Sequence, residues 1–79
     1  MSENKERFST EYAKALTECV SDPKHGYIYD VDQVPGVVAK MLPAIFSGMA
    51  NYDGPAIKLT CKRLGIKCTK KAILAFVQT

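Results

Sequence analysis

An all-α fold, a compact four-helix bundle ending in a helix-turn-helix-like pair, is what this sequence predicts. Two observations predict it. Apolar residues recur with the period of a helix through most of the chain. Clusters of Gly, Pro, Asn and Asp fall between the periodic stretches, where helices start and stop. The alternating piece Tyr27–Ile28–Tyr29 has no obvious partner strand and reads as an ordered loop over the core. At 79 residues, with 47% hydrophobic and 24% charged residues, the chain makes one helical domain spanning 1–79.

The first helix is expected from about Lys5 to Val20, because Phe8, Tyr12, Ala15, Leu16, Cys19 and Val20 share one helical face. Ser2 or Ser9 could cap it. The run SDPKHG then breaks it, since Pro23 cannot continue a helix and Gly26 permits a positive φ. Asp32 is the expected cap of the second helix, with Pro35 in its first turn. That helix carries the strongest pattern, Val34, Val37, Val38, Met41, Leu42, Ile45, Phe46 and Met49, and is expected to form the centre of the core. Pro43 interrupts the stripe without shifting its register, which predicts a kink and not a reversal. Gly48 and NYDG end the element. Asp53 should cap the third helix, whose inner face is Ile57, Thr60, Cys61 and Leu64. Gly65 closes it in the left-handed conformation. Thr69 should cap the fourth, with Ala72, Ile73, Phe76 and Val77 facing inward.

Charge is distributed unevenly along the chain. The net charge is +3, yet residues 1–53 hold five Lys or Arg against eight acids, a balance of −3. Residues 54–79 hold six basic residues and no acid, a balance of +6. An acid-free third of a small domain points to a face for a polyanion; a solvated lysine surface that keeps the protein soluble is the plainer alternative.

The stretch IKLTCKRLGIKCTKKAILAFVQT carries that charge in a helix, a glycine and a second helix, the local form of a helix-turn-helix. Cys61 is small and stands where two helices would cross, and Leu64 and Ile66 flank Gly65 as an apolar pair. Lys67, Thr69, Lys70 and Lys71 fall at the start of the second helix, the end that meets DNA in this motif. Two features depart from it. Lys71 occupies the place of an inward apolar residue, so the turn must be longer than usual. Residues 57–77 contain no Asn or Gln and a single arginine, Arg63, so base-specific contacts are scarce. The residues expected to contact DNA are Lys58, Lys62, Arg63, Lys67, Thr69, Lys70 and Lys71.

DGPAIKLTCKRLGIKCTKKAI resembles the C-terminal segment of small uncharacterised accessory proteins of tailed bacteriophages and prophages, with their GPA…TCK-LGIK-T-KAI wording. YDVDQVPGVVAKML is similar to the segment preceding it, so the resemblance covers roughly residues 27–75. It implies the cytoplasm of a bacterial host and no established activity. Accessory phage proteins of this size commonly regulate transcription or disable a host protein, an analogy of context alone.

Other chemistry has weaker footing. Cys19, His25, Cys61 and Cys68 could together ligate a metal, but their spacings do not match structural zinc loops, so buried thiols and no metal are expected. An odd number of cysteines fits a reducing compartment. His25 lies near Asp22, Asp30 and Asp32 in sequence, yet these read as turn, cap and loop residues, and neither catalysis nor a cofactor is expected. No apolar run is long enough to cross a bilayer, and MSENKERFSTEY lacks the apolar core of a secretory signal. Tyr27 and Tyr29, in or beside turns, are candidates for recognition of a protein partner. A small anionic ligand at Lys70 and Lys71 is a third option. The sequence therefore leads to a non-enzymatic, phage-type regulator that binds DNA, with a host-protein inhibitor as the alternative. A homodimer is compatible with the first.

Overall fold

Helix α1, Glu3–Ser21, is the axis of the molecule. Phe8, Tyr12, Ala15, Leu16 and Cys19 recur on one face of it, and all five are buried. Every other helix packs against that face, α3 most extensively. The structure, a computed structural model, describes residues 3–22, 24 and 29–78. After α1 come a 3-10 turn, Val31–Gln33, then α2, Val34–Ser47, α3, Pro55–Leu64, and α4, Lys70–Gln78. No strand occurs among the described residues. Among the described residues no helix is long and apolar enough to cross a membrane. The Cα radius of gyration is 11.7 Å, about the 12 Å of a compact chain of this length.

The core is a single cluster. Phe8 stacks on Tyr12 with ring centroids 6.2 Å apart, and meets Phe46 of α2 edge-on at 5.8 Å. Ala56, Ile57 and Cys61 of α3 and Ile73 and Val77 of α4 complete it. Thr60 is the one polar side chain fully enclosed among the described residues, and its hydroxyl donates to the Ala56 carbonyl at 2.7 Å. That back-bond removes the desolvation cost of a buried hydroxyl.

The expected second helix is present and runs through Pro43 without reversing. Its expected place at the centre of the core is overturned. Only Val34 and Ile45 of the stripe are buried; Val37, Val38, Met41, Leu42 and Phe46 are partly covered, and Met49 lies beyond the helix end, 81% exposed. Periodicity marks the apolar face but not how much of it neighbours cover, and α1 occupies the centre instead.

Helix ends divide similarly. Gly48 and Gly65 are left-handed, with φ of 81° and 71°. At each the glycine N–H and the following N–H return to the last helical turn: Gly48 to Ile45, Met49 to Ala44, Gly65 to Lys62 and Ile66 to Cys61. Thr69 caps α4 as expected, its Oγ accepting from the Ala72 N–H at 3.1 Å. Asp32 does not cap α2. It lies inside the 3-10 turn, which displaces the start of α2 to Val34. At that turn the Asp30 N–H donates to the Gln33 Oε1 at 2.8 Å. Asp53 does not cap α3 either, because Gly54 holds the cap position with Pro55 first in the helix. The Asp53 N–H instead donates to the Asn51 side chain at 3.1 Å, an Asx-turn that takes the chain into the helix. Ser9 lies within α1 and donates back to the Lys5 carbonyl; Ser2 lies outside the described residues.

Candidate nucleic-acid interface

On α3 the inner face is set by Ala56, Ile57, Thr60 and Cys61, which turns Lys58 and Lys62, one turn apart, to solvent. Five residues, 65–69, then lead to α4. A helix-turn-helix uses three or four. The helix-glycine-helix arrangement is present, but α3 and α4 hardly touch; each leans separately on α1. Cys61 is accordingly buried within the core, beside the Cys68 thiol of the connection. Burial first, and the Cys68 thiol second, push the Cys61 thiol up to about 12, so it stays protonated and unreactive at neutral pH. The Cys68 Sγ lies 3.2 Å from the Tyr52 carbonyl and donates to it, while the Tyr52 hydroxyl donates to Ile45 at 2.7 Å. This short chain of bonds anchors the connection between α3 and α4 to the end of α2.

The seven residues expected at the interface fall into two groups. Lys58, Lys62, Lys67 and Lys71 are exposed and make no ion pair among the described residues. The other three make contacts within the fold, although Lys70 is also exposed and makes no ion pair among the described residues. Arg63 reaches α1 and grips Glu18 through both ends of its guanidinium, the Nη2–Oε1 arm at 2.7 Å. The hydrogen bond from Arg63 holds the Glu18 carboxyl below the usual carboxylate range. The same bond raises Arg63, which stays charged. Glu3, Glu6 and Glu11 line the same groove, so that edge of α3 is unsuited to a polyanion. The Thr69 hydroxyl is used as the cap. The Lys70 side chain crosses Gly48, its Cε 2.7 Å from where a Cβ on that glycine would stand. This places the Lys70 ammonium at the negative end of α2. Lys71, the next residue round the helix, is exposed.

The proposed protein-contact residues differ as well. Tyr27 and His25 lie outside the described residues. Tyr29 is half-buried and lines a cavity of about 90 Å³ with Tyr12, Leu16, Val37, Met41 and Ile57. Among the described residues no group of His, Cys, Asp or Glu could hold a metal ion. The Arg63–Glu18 pair was not foreseen from sequence; the only signal available was a lone arginine in an acid-free segment.

Comparisons with protein-family models, curated proteins and solved structures found no match for this chain.

Proposed function

We propose that the protein is a small non-enzymatic regulator that binds duplex DNA through its phosphates. The contact surface is the outer side of α3, the 65–69 connection and the first turn of α4. The observation that carries this reading is Lys58, Lys62, Lys67 and Lys71, exposed and unopposed in a segment that contains no acid. With Arg63 held by Glu18 and no Asn or Gln in residues 57–77, bidentate contacts to base edges have no obvious donor. Binding is therefore expected to be led by the backbone and weakly selective for sequence.

Fluorescence anisotropy with a random-sequence duplex tests it. Wild-type protein should bind at low salt, and a variant with Lys58, Lys62, Lys67 and Lys71 all changed to alanine should not. Arg63→Ala should bind about as well as wild type, because that side chain is already committed. Absence of binding by the wild type at low salt, or undiminished binding by the four-lysine variant, contradicts the proposal.

A further inference from the structure

Helix α2 has the composition of a buried helix and the position of a surface one. Its 14 residues include a single charged side chain, Lys40. A helix that is apolar all round is normally covered all round, whereas a surface helix carries a polar outer face. Here Pro35, Ala39, Pro43 and Ser47, spaced by four and therefore in line, are all exposed. A shallow groove follows this line, lined by Ala39, Leu42, Pro43 and Phe46, with Lys5 at its rim. The two large apolar side chains exposed among the described residues bracket it: Val31, 49% exposed, before the helix, and Met49 after it.

We infer that this face is covered by α2 of a second copy of the chain, packed antiparallel about a two-fold axis. Charge at the two ends of the helix selects that occupant. Asp30 and Asp32, both exposed, precede α2. At its other end the Lys5 ammonium stands 5.1 Å from the Phe46 ring centroid and the Lys70 side chain crosses Gly48. The 14 residues separate these ends by about 21 Å. Antiparallel pairing brings the acidic end of each α2 opposite the basic end of the other, and the two-fold makes the match twice. Parallel pairing would oppose acid to acid and base to base. Gly36 and Ala39 let the backbones approach, and the flexible Met49 can follow the partner's contour. Lys40 lies at the flank, where its stem can run along the apolar seam while its ammonium stays in water. The surface shares no residue with Lys58, Lys62, Lys67 or Lys71, so this inference stands independently of the DNA proposal.

Sedimentation velocity of the full chain over a concentration series tests it. Wild type should pass from monomer to dimer as concentration rises. Ala39→Glu buries an unpaired charge at the seam and should raise the dimer dissociation constant by roughly a hundredfold or more, with circular dichroism unchanged. Asp32→Lys should weaken the dimer, and adding Lys5→Glu, which exchanges the charges, should restore it. A wild type that stays monomeric throughout overturns the inference and leaves the face to a different partner. So does a dimer indifferent to Ala39→Glu. Failure of the charge exchange to restore the dimer overturns the antiparallel arrangement.

Discussion

Thr69 accounts for much of the order at the start of α4. Its hydroxyl occupies the Ala72 N–H, and α4 is only nine residues long, so one lost cap is a large share of its local stability. Thr69→Ala should destabilise the protein by about 1 kcal/mol in urea unfolding, with Thr69→Ser close to wild type. Glu18 behaves differently because it is exposed. Its carboxyl is held low mainly by the hydrogen bond from Arg63. A group depressed in the folded state contributes stability above its unfolded value and loses it as pH falls through the folded value. Glu18→Gln should therefore lower the urea midpoint slightly at about pH 7 and converge with wild type as pH falls through the folded-state value of the carboxyl. At this scale Thr69 and Gly65 were legible in the sequence, because a threonine before an apolar run and a glycine after one have few other uses. Asp32 and Asp53 were misread. Each is a good cap in isolation, and each was displaced by local turn geometry, the 3-10 turn at Val31–Gln33 and the Asx-turn from Asn51.

Among the helices, α1 was the best foreseen and α2 the least. The five α1 residues from Phe8 to Cys19 that are buried were all marked by period, because apart from Ala13 and Val20 polar residues occupy the rest of that helix and leave one choice of inner face. Helix α2 offers apolar side chains in most directions, so its period could not say which side meets α1 or how much stays bare. Its exposed line of Pro35, Ala39, Pro43 and Ser47 needed coordinates to be seen. The bond between Arg63 and Glu18, 45 positions apart, was out of reach for the same reason: it depends on how α3 lies on α1. The hub role of α1 has a direct consequence. Phe8 is fully enclosed and contacts both Tyr12 and Phe46. Phe8→Ala should cost about 3–5 kcal/mol, a large part of the roughly 4–12 kcal/mol expected for a chain of this length. Thermal unfolding followed by circular dichroism should show a partly or wholly unfolded variant at 37 °C. Little change in the transition would mean that α1 is not the hub.

Across the whole molecule, charge follows the elements. Glu3, Glu6 and Glu11 of α1 line a groove with Arg63, while Lys58 and Lys62 on α3, Lys67 on the connection and Lys71 on α4 are exposed and make no ion pair among the described residues. The excess was visible in the sequence. Its division into four lysines without such contacts and three side chains that lean on Glu18, the α4 cap and Gly48 was not, since that depends on how the helices pack. The division sets a number. Binding that releases the counterions of about four phosphates should give a slope of log K against log salt of about −3.6. The most direct measurement is that slope, obtained for wild-type protein on random-sequence duplex DNA. A value near −3.6, shallower by about 0.9 for each of the four lysines replaced by alanine, is what the phosphate-binding account predicts. A slope near zero, or one that ignores those replacements, would contradict it.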